Sequence, residues 1–184
     1  MATPKSQRIG IWIITVVMLV GGVGVYFVAI LANTNDNAQQ QSALDAYQEQ
    51  LDTSAAARAA SSRPLDGHSA FPFDAASVTE LVAEDLTVGT GAEVTATSTI
   101  EANYFGWTAD GVIFDSTNQN GTVTPATFSL EQVIEGWTKG LAGAKVGTVR
   151  KLMIPTAMAY GDTAASQGRP AGPLAFIVEI KSLK

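Results

Sequence analysis

The segment Ser129–Leu141 constrains the fold most, because it is predicted to be one amphipathic helix that is too short to stand alone. Val133, Trp137 and Leu141 recur every four residues, which places an apolar stripe on one side of such a helix. An isolated helix of about ten residues is marginal in water. The stripe must therefore pack against other elements of the chain.

The residues at the two ends of this segment predict where the helix begins and ends. Ser129 and Gln132 fit a capping box, in which each side chain satisfies a backbone donor at the helix start, so the helix is predicted to begin near Leu130. Gly140 and Gly143 are predicted to end it, since glycine commonly follows the last helical turn.

Strand-like patterns flank the helix and indicate the fold class. Residues 99–107 are rich in β-branched and aromatic side chains, and Asp110-Gly111 is a hairpin signal. Residues 148–154 are strand-like, and residues 174–181 alternate between two faces. The pattern predicts an α+β fold in which a bent antiparallel β-sheet is wrapped around one short α-helix.

Near the N terminus, Ile9 to Ala32 contain no charged residue. As a helix this run would be about 36 Å long, enough to cross a hydrocarbon core of about 30 Å. The sequence therefore predicts a short N-terminal stretch at 1–8 and a transmembrane signal anchor at 9–32. A cleavable signal peptide is the alternative, although its apolar region is usually shorter, at about 7 to 15 residues.

Basic residues near this run predict its orientation. Lys5 and Arg8 precede the run, whereas the first basic residue after it is Arg58. By the positive-inside rule the N terminus is expected in the cytoplasm. We therefore expect a single-pass plasma membrane protein with its C-terminal domain outside the cytoplasm.

The composition narrows the possible chemistry. The chain has no cysteine and one histidine, His68, so thiol catalysis, thiolate metal sites and histidine clusters are excluded. Without Lys5 and Arg8 the 11 basic residues fall to nine against 17 acidic ones, a net charge of −8 for the remainder. Such a charge does not favour nucleic acid as a partner. We expect no cofactor and no metal.

Residues 33–75 are dominated by polar and small side chains, which predicts a flexible low-complexity linker. Leu44, Tyr47 and Leu51 have helical spacing and leave open a transient helix or a weak partner contact. The globular domain is predicted at 76–184, because the strand patterns and the helix all lie there.

Five motifs in this domain resemble the FKBP family of peptidyl-prolyl cis/trans isomerases. They occur in the family's order and spacing and are, as they stand in this sequence, Ala102-Asn103-Tyr104-Phe105-Gly106-Trp107, Asp110-Gly111-Val112-Ile113-Phe114-Asp115-Ser116, Val133-Ile134-Glu135-Gly136-Trp137, Ala157-Met158-Ala159-Tyr160-Gly161 and Leu174-Ala175-Phe176-Ile177-Val178-Glu179-Ile180. The resemblance implies a bent antiparallel sheet on one short helix, in agreement with the periodicity.

The resemblance also implies a binding pocket for a prolyl ring. Trp137 would be its floor, and the aromatic walls would be Tyr104, Phe114 and Phe176. At its rim would be Val133 and Ile134. The backbone N–H of Ile134 and the Tyr160 hydroxyl would bond substrate carbonyls, and Asp115 would present a carboxylate. Core packing remains the alternative for Phe114, Phe176 and Val133, and a turn cap at Ser116 remains the alternative for Asp115.

The function implied is isomerisation of X-Pro bonds by a monomer that assists folding of exported proteins. The alternative is a proline-peptide-binding module or holdase with little turnover. Macrolide inhibitors are possible ligands by the same resemblance. Ala126 stands where many members carry another aromatic residue, and the segment 161–173 is short, so catalytic power and macrolide affinity are open.

Overall fold

The structure, a computed structural model, describes residues 14–16, 27–29 and 37–184, with side chains from residue 41 onward except at 166 and 167. Its α-helices are α1, Asn37–Ser61, and α2, Glu135–Leu141. Three short 3₁₀ turns lie at Ala75–Ser77, Thr156–Met158 and Ala164–Gln167. The strands are β1 Ile14–Val16, β2 Phe27–Ala29, β3 Ser62–Arg63, β4 Val82–Thr87, β5 Thr99–Thr108, β6 Ile113–Ser116, β7 Asn118–Gln119, β8 Thr122–Val123, β9 Ala126–Ser129, β10 Val149–Ile154 and β11 Leu174–Leu183.

The main sheet is antiparallel throughout and has the order β4-β10-β11-β5-β6, with β9 also paired to β5. Strand β5 is long enough to hold both neighbours, because β9 pairs with its first half and β6 with its second. The ladders shift register at three places, and such irregularities bend and twist a strand. The predicted α+β fold with a mostly antiparallel sheet is confirmed.

Helix α2 packs against strand β10 through two glycines. A Cβ on Gly136 would overlap the Ile154 side chain, and one on Gly140 would lie 2.8 Å from Leu152, so the helix approaches the sheet closely. Gly140 therefore lies in the last turn and does not end the helix, in contrast to the prediction. Gly143 lies beyond the end of the helix with φ +78°, as predicted.

The predicted capping box at the helix start is wrong. Helix α2 begins at Glu135, and the backbone of Ile134, in the extended region, precedes it. Ser129 ends strand β9, and the Gln132 N–H bonds the Ser129 carbonyl in a turn. Leu130 is completely buried, and its carbonyl accepts the Thr138 hydroxyl. The core holds Leu130 in this turn, which overrides the local capping signal.

Strand β11 separates two hydrophobic clusters. Leu174, Phe176, Val178 and Ile180 join the inner cluster between α2 and the sheet. The alternate residues Ala175 and Ile177 join an outer cluster with Phe105, Trp107 and Leu65, which lies in the segment that follows α1. The predicted alternation of β11 is confirmed, and both of its faces are buried over residues 174–178.

The prediction of a flexible linker over 33–75 needs correction. Residues 37–61 form α1, and residues 45–184 belong to one compact unit. The composition of α1 explains this: alanine, glutamine and glutamate favour helix even without a strong apolar stripe. The segment after α1 packs onto the outer face of the sheet, where the Trp107 Nε1–H donates to the Phe71 carbonyl at 3.0 Å.

The predicted transmembrane helix at 9–32 lies mostly outside the described residues. The two parts that are described, β1 and β2, are not helical but form an antiparallel pair. The chain's first compact unit is Met1–Leu44. Within the described ranges, no helix combines the length and apolar character needed to cross a membrane.

Candidate active site

Five aromatic rings from four different strands and helix α2 form one contiguous group, which we call the aromatic cluster: Tyr104, Phe114, Phe128, Trp137 and Phe176. The Trp137 ring is central, and three rings meet it edge to face with centroids 5.2 to 5.5 Å away. Phe114 completes the cluster through an edge contact with Phe176 at 5.6 Å. Edge-to-face packing of this kind is a preferred arrangement of aromatic rings.

The base of the cluster contains an unpaired hydrogen-bond donor. Trp137 is 4% exposed, and its indole Nε1 is buried without a partner among the described residues. A buried donor without a partner costs about 1 to 3 kcal/mol, so such a group in a native fold needs an explanation. A ligand carbonyl or water above the indole would provide its acceptor.

Glycine is required beside the cluster at one position. A Cβ on Gly106 would lie 2.5 Å from the Phe176 ring and 2.7 Å from Phe114. Both rings therefore occupy the space that a side chain at position 106 would fill, and they can pack against strand β5 there because residue 106 is glycine.

Phe128 is a site residue that the sequence analysis missed. It lies on β9, opposite Ile100 of β5, and its ring contacts both Tyr104 and Trp137 at 5.5 and 5.2 Å. The sequence could have indicated Phe128, because it lies two residues after Ala126 and therefore on the same face of a strand as Ala126. Phe128 thus brings an aromatic ring into the cluster from the strand on which Ala126 lies.

Asp115 lies at the edge of the cluster and accepts three hydrogen bonds. Its Oδ2 accepts the Tyr104 hydroxyl at 2.5 Å, and its Oδ1 accepts the Ser116 N–H at 2.8 Å and Arg58 Nε at 2.5 Å. The bond from the Ser116 N–H joins two neighbouring residues of strand β6 and is not a turn cap. Arg58 comes from α1 and was not predicted to be near the site.

Tyr104 connects the carboxylate to the rings. It is 6% exposed, with its ring in the cluster and its hydroxyl on Asp115. Burial and then the negative charge of Asp115 raise the pKa of the Tyr104 hydroxyl far above its usual value. The hydroxyl therefore stays protonated and acts as a donor to the carboxylate.

Val133 and Ile134 lie half-buried just before α2 and pack against the inner cluster. The Ile134 carbonyl accepts the Trp137 and Thr138 N–H groups. Its own N–H bonds no other described residue. This backbone donor is therefore available to a ligand at the Trp137 end of the cluster.

Tyr160 is half-buried and packs against the inner cluster. The Arg169 guanidinium lies over its ring, 5.2 Å from the centroid. Burial raises the pKa of the Tyr160 hydroxyl, Arg169 lowers it and Asp115 raises it again, with a net upward shift. This hydroxyl is protonated at neutral pH and donates no hydrogen bond to another described residue.

The structure thus brings the predicted site residues to one side of the sheet, around Trp137 and Asp115. His68 lies elsewhere, in a hollow of about 380 Å³ that also contains Asn103 and Glu179 and shares no residue with the cluster. Among the residues whose side chains are described, no group of three His, Cys, Asp or Glu is arranged to hold a metal ion.

Comparison with known proteins connects this geometry to a family. The family model described as FKBP-type peptidyl-prolyl cis-trans isomerase matches residues 91–181. The FKBP-type peptidyl-prolyl cis-trans isomerase FkpA of Aeromonas hydrophila is 39% identical over 97 residues, which are 53% of this chain and 35% of that protein. The chain therefore spans about a third of the length of this relative.

Two further matches cover nearly the whole of the other protein. A protein of Neisseria meningitidis serogroup A named FK506-binding protein is 39% identical over 101 residues, 54% of this chain and 93% of that one. A crystal structure of a peptidyl-prolyl cis-trans isomerase from Pseudomonas syringae pv. tomato matches with a TM-score of 0.50 and 29% identity, over 80% of this chain and 98% of that chain. The chain belongs to the FKBP-type peptidyl-prolyl cis-trans isomerase family.

Proposed function

We propose that this protein is a peptidyl-prolyl cis/trans isomerase that rotates X-Pro bonds over the aromatic cluster. The observation that carries the proposal is the Trp137 indole at the centre of the cluster, in a chain of this family. Its buried N–H has no partner among the described residues. A flat apolar floor with a few polar groups at its edge suits a prolyl ring flanked by peptide carbonyls. Proline-containing polypeptides are the proposed substrates.

The chemistry requires no nucleophile. Rotation about a peptide bond costs about 18 to 20 kcal/mol, because the planar amide loses its resonance on twisting. A twisted amide has less charge separation than a planar one. An apolar surrounding therefore destabilises the twisted amide less than it destabilises the planar ground state. Every difference of about 1.4 kcal/mol between the two states gives a tenfold change in rate.

The polar groups around the cluster have separate roles. The Ile134 N–H and the Tyr160 hydroxyl bind the carbonyls on either side of the proline, and so hold the chain ends while the bond rotates. Asp115 presents its carboxylate beside the twisting amide. A carboxylate offers about four acceptor positions, and three at Asp115 are occupied by the groups described above. The fourth is left for the substrate.

An exchange assay on a short proline peptide tests the function, with two matched tryptophan variants. Trp137→Phe keeps an aromatic floor but removes the N–H, and turnover should fall about tenfold, as the loss of one hydrogen bond in the transition state implies. Trp107→Phe is the control, because Trp107 lies in the outer cluster and bonds Phe71. After correction for any unfolded fraction, its turnover should match the unaltered protein.

The same assay distinguishes the alternative function. If the unaltered protein binds the peptide but does not accelerate exchange, it is a proline-binding module or holdase and the isomerase proposal is wrong. An FK506-type macrolide should compete with the peptide, because both would cover Trp137. The protein is proposed to act as a monomer, which sedimentation at assay concentration checks.

We further propose that residues 9–32 anchor the domain to the plasma membrane, with residues 33–184 outside the cytoplasm, where the isomerase would assist folding of exported proteins. This rests on the uncharged run Ile9 to Ala32 and on Lys5 and Arg8 before it. A reporter that works only outside the cytoplasm should give signal when fused to Lys184. Signal from a cytoplasm-only reporter at that position would refute the orientation.

A further inference from the structure

Helix α1 lies outside the residues that match the family model, yet it reaches the candidate site. Arg58, on its last turn, donates from Nε to Asp115 Oδ1 at 2.5 Å. Seven and six residues earlier along the helix, Leu51 and Asp52 lie next to Gly168, where a Cβ would be 3.4 and 3.3 Å from them. The helix therefore runs alongside the site, from Asp115 to the loop that follows Tyr160.

The backbone that carries Arg58 is joined to the backbone that follows Asp115. Strand β3, directly after α1, pairs with β7. The Ser116 hydroxyl donates to the Arg63 carbonyl at 2.7 Å, the Asn118 side chain to the Pro64 carbonyl at 2.8 Å, and the Asn120 N–H to the Ser61 carbonyl at 2.9 Å. The end of α1 and the segment 115–120 thus form one hydrogen-bonded unit, which holds the two charges together.

The end of the helix also fixes Arg58 itself. The hydroxyls of Ser61 and Ser62 both donate to the Arg58 carbonyl, at 3.0 and 2.8 Å. Among the side chains that the structure describes, Arg58 is the only basic group paired with Asp115. Burial lowers the pKa of the Arg58 guanidinium, but the charge of Asp115, the hydrogen bond to it and the smaller contributions of Tyr104 together outweigh burial, and the net shift is upward.

We propose that Arg58 is a positioning residue for the isomerase site: it holds the Asp115 carboxylate from one side while Tyr104 holds it from the other, so α1 is part of the catalytic unit. The inference rests on the proposed function. With Oδ1 and Oδ2 held by different donors, the carboxylate cannot rotate, and its remaining acceptor position keeps one direction. Losing the guanidinium would free this rotation and leave the carboxylate charge at the cluster edge unbalanced.

The test compares three variants of the full chain in the proline-peptide exchange assay. Arg58→Gln should lower kcat about 3- to 10-fold with little change in KM, because a misplaced group costs rate more than binding. Arg58→Lys keeps the charge without the planar fork and should recover part of the rate. Lys181→Gln is the control, because it removes a cation from another ion pair, that with Glu179. The Lys181 side chain is 44% exposed and that of Arg58 is 45% exposed, and this variant should leave kcat unchanged.

A double-mutant cycle decides whether Arg58 acts through Asp115. In the Asp115→Asn background, Arg58→Gln should cause no further loss of kcat, since the group it positions is gone. A further loss equal to that in the unaltered protein would refute the inference and indicate a purely structural role. An unchanged kcat in Arg58→Gln would also refute the inference. The proposed function would still stand in that case, because the unaltered protein is active.

Stability is controlled within the same experiment. If Arg58→Gln lowers the folded fraction, millimolar guanidinium added to Arg58→Ala provides the second test, at concentrations far below those that unfold proteins. Recovery of rate in Arg58→Ala, with an unchanged rate in Lys181→Gln at the same guanidinium concentration, supports positioning. A rate per folded Arg58→Ala molecule that equals the wild-type rate, or one that guanidinium does not raise, contradicts it.

Discussion

Replacing Leu65 with alanine tests whether the segment after α1 belongs to the folded core. Leu65 is 7% exposed and packs in the outer cluster against Phe105, Trp107 and Ile177. Buried Leu→Ala changes cost about 2 to 5 kcal/mol, from lost transfer energy and the remaining cavity. We expect about 2 to 3 kcal/mol here, because Leu65 lies on a surface segment that can relax toward the void.

Urea unfolding of the full chain, followed by circular dichroism, measures this change. With a slope of about 1 to 3 kcal/mol per molar urea for a small domain, the midpoint should fall by about 1 M. Leu86→Ala is the control, because Leu86 is 42% exposed on strand β4 and should shift the midpoint little. Equal midpoints for the two variants would refute the packing of residues 62–73 against the sheet.

Three further predictions concern the cluster edge, its glycine and a surface ion pair. Tyr160→Phe should keep the fold and lower turnover about 5- to 10-fold in the peptide assay, since one substrate hydrogen bond is lost; wild-type turnover would refute its role. Gly106→Ala should destabilise the protein by about 1 to 3 kcal/mol in urea, because a Cβ would lie 2.5 Å from the Phe176 ring; an unchanged midpoint would contradict this. The hydrogen bond from Arg150 lowers the pKa of Asp85 in the folded state. The pair therefore stabilises the fold at pH values above the pKa that Asp85 has in the unfolded chain, and this stabilisation is lost as the pH falls through the pKa of Asp85 in the folded protein. Asp85→Asn should therefore be less stable than the unaltered protein at pH 7 and equally stable in strong acid, and a difference that persists in acid would refute the assignment.

Local patterns predicted the sheet well, because alternation reports burial directly. Residues 174–180 alternate in the sequence, and in the structure they divide between the inner and outer clusters. The i, i+4 stripe of Trp137 and Leu141 likewise ends up buried against the sheet. In both cases the apolar side chains recur with the period of the strand or helix itself. The sequence therefore shows which face is buried without knowledge of the element that covers it.

The start of α2 and the state of residues 37–73 could not be predicted from local patterns. The capping signal at Ser129 was outweighed by the complete burial of Leu130, which depends on residues far along the chain. Helix α1 has good helix formers, and Leu44, Tyr47 and Leu51 left a weak partner contact open, but no local pattern indicated which segment the helix would contact. Its last turn contacts segments more than fifty residues away, through Arg58 with Asp115 and Ser61 with Gln119.

The sequence by itself determined the fold class, from residue type and period, and the family resemblance, from the five motifs. The aromatic and carboxylate residues of the site are the ones that this resemblance implies. Only the tertiary structure decided that Phe128 joins the cluster, that the Trp137 N–H has no partner in the described part of the chain and that Arg58 binds Asp115. The physical reason is that hydrogen-bond satisfaction and ion pairing depend on distances between segments remote in the chain. No local sequence pattern indicates those distances, whereas the alternation of residues along a strand indicates directly which side chains are buried.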